Sequence, residues 1–234
     1  MSARDPLRQR LTAGLAELEL DLAASTIERL LDYVDLLARW NKAYNLTAVR
    51  DPLEMVTRHL LDPLAVAQWV SGERLVDIGS GAGLPGIPLA LIAADTGVPD
   101  RHFLLVDSNG KKARFLRAAV RELQLKHVEV VESRVESVPG QFDCVTSRAF
   151  ATLADMLGWG GHLLAPNGVW LALKGRVDRA ETDAVPAAFQ ISSVQPLKVP
   201  GLDAERHAVI ITHQGILFPP MRDAESLARQ PEQS

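Results

Sequence analysis

The chain has 234 residues, 47% hydrophobic and 23% charged, which calls for a packed core and excludes a disordered chain. A formal net charge of −4 excludes a uniformly basic nucleic-acid binder, so any such role has to rest on a local patch. The single cysteine, Cys144, excludes an intramolecular disulfide and a cysteine-built zinc site.

In chain order, the N-terminal part lacks the long apolar run of a signal peptide or a membrane span, so a cytoplasmic protein is expected. Residues 5–45 read as helical: Ile27, Leu30, Leu31, Val34 and Leu37 recur at helix spacing, with Glu28, Arg29, Asp32 and Asp35 between them. Ser25, with Glu28 three residues on, has the pattern of a capping box. The segment from Trp40 to Thr47 breaks the periodicity and reads as a loop. Pro52 and Pro63 each sit where a new helix can begin. Residues 1–70 are therefore expected as a helical appendage packed on a sheet formed by the rest of the chain.

From Arg74 onward strands and helices alternate. The runs 74–79, 102–107, 128–132, 142–147 and 168–173 are nearly continuous in apolar residues, as in parallel strands covered on both faces. Helices are predicted at 86–94, 111–124, 150–158 and 178–185. Two later strands, 189–198 and 206–213, are separated only by a turn with Pro200-Gly201, which predicts an antiparallel hairpin. The fold class is α/β: a Rossmann-like, mostly parallel seven-stranded sheet over 71–214 with a terminal antiparallel hairpin, the class I methyltransferase variation on the doubly wound theme. Residues 215–234 are polar and proline-bearing, and are expected to fray.

The stretch from Leu75 to Gly86 is an apolar strand running into a glycine-rich turn and then a helix. Gly81-x-Gly83-x-x-Gly86 fits the dinucleotide fingerprint, and Asp107, ending the next strand, lies near the expected offset of ~20 residues. That pattern admits NAD, S-adenosylmethionine or a plain turn. Three details favour S-adenosylmethionine. Asp77, just before Gly79, can accept from a cofactor ammonium group and would repel a pyrophosphate. Pro85 and Pro88 remove two N–H groups where a phosphate cradle needs them. The terminal hairpin suits a methyltransferase. Asp107, at a strand end expected to face solvent, should accept from two ribose hydroxyls, and Glu136 from the adenine edge.

Several motifs in order resemble one family. They are Asn41-Lys42-Ala43-Tyr44-Asn45-Leu46-Thr47, Arg58-His59-Leu60-Leu61-Asp62, the turn ending Leu84-Pro85-Gly86-Ile87-Pro88-Leu89, Asp107-Ser108, and Lys111 to Leu116. Ser147-Arg148-Ala149, Lys174-Gly175 and Glu205-Arg206-His207 continue the match. Over about residues 25–213 the chain resembles the bacterial small-subunit ribosomal RNA guanine-N7 methyltransferases, also called glucose-inhibited division protein B. The resemblance implies S-adenosylmethionine as methyl donor and a guanine of 16S ribosomal RNA, or the small ribosomal subunit, as partner. It places Gly79, Leu84, Asp107, Ser108, Val135, Glu136 and Arg148 around the cofactor; Asp77 joins them as the acceptor expected for the cofactor ammonium group. No metal, membrane or particular oligomer is implied.

Guanine N7 carries an in-plane lone pair and needs no deprotonation, so the absence of an obvious general base is expected. Attack through a pyrimidine carbon would need a covalent cysteine, and Cys144 lies within an apolar strand as a core residue. Ser147-Arg148-Ala149-Phe150 stands where exocyclic amine methylases carry an Asn/Asp-Pro-Pro-aromatic turn. Arg148 and Lys174, ending their strands, are positioning candidates toward cofactor, guanine or phosphate; pairing with a carboxylate is the alternative for each. Arg58, His59, Lys111, Arg114 and Arg206 are RNA-binding candidates. Lys111, Lys112, Arg114, Arg117 and Arg121 form a basic stripe for RNA phosphates or simply a solvated face. His59 has the option of pairing with Asp62, and Trp40 and Tyr44 either stack a flipped base or pack the core. An NAD-dependent oxidoreductase and a non-catalytic RNA-binding or assembly module remain the rival readings.

Overall fold

The computed structural model describes residues 4–148 and 151–216. Ala149, Phe150 and the tail from residue 217 lie outside the described residues, and so do the start of the helix predicted at 150 and nearly all of the tail expected to fray.

Seven strands form one sheet in the order β3-β2-β1-β4-β5-β7-β6. The parallel strands are β1 (Arg74–Ile78), β2 (His102–Asp107), β3 (Val128–Glu132), β4 (Phe142–Arg148) and β5 (Leu164–Lys174). β7 (His207–His213) runs antiparallel to β5 and to β6 (Phe189–Pro196), which gives the hairpin expected from the sequence. β5 begins four residues before the predicted 168, because Leu164 already pairs with Phe142 ahead of a register shift. The chain reverses its direction of travel across the sheet between β1 and β4, the switch point where open α/β sheets bind ligands at their carboxyl ends.

Period-two alternation divides the strands between two buried clusters. Leu75 of β1 and Cys144 of β4 face one cluster, while Val76, Ile78 and Val145 face the other. The first cluster takes in the helical layer: α1 (Asp5–Glu17), α2 (Ala24–Tyr44) and the run from Pro52 to Leu64. On this side too lie α5 (Gly86–Ile92), which comes after the glycine turn, and α6 (Gly110–Glu122). The second cluster is covered by α7 (Leu153–Gly160). The short α8 (Arg179–Asp183) comes after β5.

The N-terminal layer departs from expectation in four places. Residues 18–23 interrupt the helix read over 5–45. Ser25 lies inside α2, whose N-cap is Ala23 without a side-chain bond, because Glu28 is drawn instead to Arg8 of α1 at 2.8 Å. The loop read from Trp40 begins only at Asn45, which takes the left-handed conformation (φ 51°). Trp40 stays helical because it stacks on Tyr44 and meets Phe115 edge-on. Finally, α3 (Pro52–Met55) passes without a break through a π-helical turn (Val56–Leu61) into α4 (Asp62–Leu64). Pro63 therefore starts no separate helix; the wider turn before it accommodates a residue with no N–H to give.

α1 docks on that π-helical turn through Gly14. A Cβ there would lie 2.3 Å from Cδ1 of Leu61, a fully buried side chain. Gly14→Ala gains about 1 kcal/mol of helix propensity but overpacks by about 1–3 kcal/mol. The expected outcome is a lower melting temperature in thermal denaturation, against the usual direction for glycine to alanine within a helix.

Candidate active site

The turn between β1 and α5 is fastened by carboxylates on two sides. Gly79, Gly81 and Gly83 all have positive φ (65°, 60° and 88°), which lets the backbone coil tightly at the strand end. Ser80 N–H donates to Val106 O at 3.0 Å, and Gly83 N–H to Ser80 O at 2.7 Å. Asp107 Oδ2 accepts from Gly81 N–H at 2.8 Å, and its Oδ1 from Asn109 N–H at 2.8 Å. From below, Asp77 Oδ2 accepts from Gly86 N–H at 3.1 Å and Oδ1 from the Thr146 hydroxyl at 3.1 Å.

These bonds go with a deeper placement of both acids than their strand-end positions suggest. Asp77 is fully buried on the helical-layer face, because alternation along β1 points it away from the cleft. It holds the turn from inside. Asp107 is not a solvent-facing acid but is 6% exposed, since it fastens two backbone N–H groups.

Beside the turn opens a cleft of about 480 Å³, a volume in the range of small-molecule sites. Its lining brings together Gly79, Asp107, Ser108, Val135 and Glu136 from the predicted set. Leu84 lies buried beneath the turn, outside that lining. The cleft also includes Asn109, Lys112 and Trp159, which the sequence pattern does not assign to it. Asn109 caps α6 by accepting from Lys111 and Lys112 N–H, while Lys112 Nζ stands 3.8 Å from Asp107 Oδ2. Trp159 had a legible signal: Leu153, Met156, Leu157 and Gly160 are the buried face of α7, and 159 falls off it, exposed.

Arg148 stands on the other side of the turn. Counting by twos from Cys144 puts it on the helical-layer face, where its Nη2 lies 3.6 Å from Asp62 Oδ2. Arg206 Nε approaches the same oxygen at 3.4 Å. Arg148 Nη1 is buried with no hydrogen-bond partner among the described residues. His59 is buried and hydrogen-bonds Thr47 Oγ at 2.8 Å, not Asp62, which the two arginines occupy. Burial, then the Arg148 charge, push the His59 imidazole down to about 4, so it is neutral near pH 7. Among the other candidates, Lys174 pairs with Glu181 at 2.6 Å, Arg58 lies 4.0 Å from Glu54, and Lys111 and Arg114 are exposed.

A mixed sheet of this order, with a glycine turn after β1 and an acid ending β2, defines a Rossmann-like S-adenosylmethionine-dependent methyltransferase fold. A solved methyltransferase of that kind from Aquifex aeolicus shares the fold, with a TM-score of 0.52 and 17% identity, covering 75% of this chain and 97% of that one. The chain belongs to the family of rRNA small subunit methyltransferase G, whose pattern matches residues 26–210. It is 48% identical over 204 residues to the Escherichia fergusonii Ribosomal RNA small subunit methyltransferase G, covering 86% of this chain and 96% of that one. With the Idiomarina loihiensis protein of the same name it shares 47% identity over 208 residues, covering 88% and 98%.

Burial pushes the Asp77 carboxyl up to about 7 from an ordinary 3.8, against the lowering effect of its hydrogen bonds and of Arg148. The folded chain therefore holds a proton between about pH 4 and 7 that the unfolded chain releases. This contribution to stability is present below pH 4 and is lost as pH rises through about 7. Denaturant titrations from pH 5 to 8 should show wild-type stability falling relative to Asp77→Asn, whose amide keeps the Gly86 contact without the charge.

Proposed function

We propose that the chain transfers the methyl group of S-adenosylmethionine to N7 of a guanine in 16S ribosomal RNA, acting in the cytoplasm on that RNA or on the small ribosomal subunit. The observation that carries the donor assignment is Asp107. An ionised carboxylate offers about four acceptor positions. Gly81 and Asn109 N–H occupy two of them, and the remainder match the two hydroxyls of a ribose lying in the cleft.

When bound, S-adenosylmethionine supplies an electrophilic methyl group on a sulfonium. The chain's own residues then bind and orient. Asp107 holds the ribose, with Ser108 beside it. Val135 and Glu136 flank the base, Val135 with apolar surface and Glu136 with an acceptor. Exposed Lys111 and Arg114 of α6 continue from Lys112 at the cleft edge and suit RNA phosphates.

The acceptor assignment draws on what the site leaves out. Burial pushes the Cys144 thiol up to about 12, and the side chain is fully enclosed. It fits no covalent attack on a pyrimidine. His59, neutral and bonded to Thr47, lies buried within the helical layer. A purine ring nitrogen with a free lone pair needs neither group. The family's name supports ribosomal RNA as the partner.

Borohydride–aniline treatment of 16S RNA incubated with the chain and donor should cleave at one guanosine. Label incorporated without such cleavage would refute N7 as the acceptor. No incorporation at all would favour a non-catalytic assembly module. Separately, Asp107→Ala should weaken S-adenosylhomocysteine binding by ~10-fold or more in calorimetry. It should also lower the melting temperature modestly, because the N–H groups of half-buried Gly81 and exposed Asn109 lose their side-chain acceptor.

A further inference from the structure

We propose that Asp62 is a positioning residue, which holds the Arg148 guanidinium at the end of β4 by sharing one carboxylate between Arg148 and Arg206. The inference rests on the methyl-transfer reading and deepens it on the face of the turn opposite the cleft. Three segments meet at this point: the end of the π-helical turn, the end of β4, and the connection into β7. Asp62 is 4% exposed at its side chain, and one oxygen serves both arginines, at 3.6 Å and 3.4 Å.

The charges do not balance. Asp62 faces two guanidinium groups, His59 adds no charge because its ring is neutral, and Asp77, pushed up to about 7, offsets only part of the surplus near neutral pH. A purely structural pair would satisfy its own donors, yet Arg148 Nη1 is buried without a partner among the described residues. An unmet buried donor is destabilising by about 1–3 kcal/mol, more when charged. A surplus positive charge with one unmet donor suits an anionic oxygen from the reacting complex. A carboxylate on the methyl donor and a phosphate of the RNA share that chemistry. Thr146, two residues before Arg148 on the same face of β4, hydrogen-bonds Asp77, so the guanidinium stands on the side from which the glycine turn is held. Asp62 leaves Nη1 free by engaging Nη2.

The test compares wild type, Asp62→Asn, and the double variant Asp62→Asn/Arg206→Gln in methyl transfer to 16S RNA and in melting temperature. The single variant leaves two cations unopposed and should lose both stability and activity. The double variant restores the original net charge, so melting temperature should largely recover. Its kcat/KM should stay ~10–100-fold down, the scale of a small misplacement at a reacting centre. A rise in KM for the donor alone places the acceptor oxygen on the donor; a rise for RNA alone places it on the RNA. Either result supports the positioning role. Recovery of activity together with melting temperature would overturn it.

Should the double variant fail to fold, Arg148→Lys keeps a cation for Asp62 but lacks the second fork of donors. A similar loss of kcat/KM is expected, and wild-type activity would equally overturn the inference. A wild type that transfers no methyl group removes the reading beneath; an active wild type matched by the double variant removes this inference alone.

Discussion

The site depends on a backbone turn gripped by two carboxylates of unlike character. Three glycines with positive φ make the turn tight, but glycine also maximises the entropy lost on ordering it. The restraint comes from Asp107 on Gly81 N–H and Asp77 on Gly86 N–H, one at the start of the turn and one at the entrance to α5. Asp107 sits at the cleft with acceptor capacity left over. Asp77 is enclosed, and burial raises its pKa because it disfavours the charged form. One acid thus keeps spare acceptor capacity at the cleft, while the other holds the turn from inside.

The pleat of the sheet separates these roles. Along β1 and β4 alternate residues face opposite layers, so Asp77, Thr146 and Arg148 look toward the helical layer. The cleft lies at the strand ends toward β2 and β3, lined by Val106 and Val135 among others. The N-terminal helices are therefore more than a cover. α2 sends Tyr33 to the carbonyl of Ala82 at 2.6 Å, and the π-helical run ends on Asp62 beside Arg148. A π turn changes the angular register of every residue after it, which sets the direction in which Asp62 leaves the helix.

Much of this was legible in the sequence, and the gaps have physical causes. Apolar runs located the five parallel strands to within a few residues, since strands covered on both faces leave little other pattern. The hairpin was readable from the absence of helix periodicity around Pro200-Gly201. Helix limits in the first layer were less legible. Trp40 looked like a periodicity break, but its ring packs on Tyr44 and on Phe115 of α6, a partner 75 residues away in sequence that no local window contains. Glu28 looked like a capping residue until Arg8 of the neighbouring helix competed for it. At the site, the sequence pattern pointed to Asp107 and Glu136 and the family resemblance added Gly79, Ser108 and Val135, and these five line one cleft. The facing of Asp77 and Arg148 was missed, although parity along their strands already carried it. The pairing of Asp62 with residues 86 and 144 positions away depends on how the layers dock, and no spacing rule reaches it.

The net charge of −4 looks awkward for a chain proposed to act on RNA, and its distribution answers the difficulty. Asp32, Asp35 and Glu28 of α2 are engaged with Arg4 and Arg8, so much of the acid in the helical layer faces cations of the same layer. Exposed Lys111, Arg114 and Arg121 lie on α6, whose first turn borders the cleft at Lys112. Screening at physiological salt confines each charge to roughly 8 Å. An RNA phosphate docked at this edge therefore meets the local cations rather than the sum over the molecule.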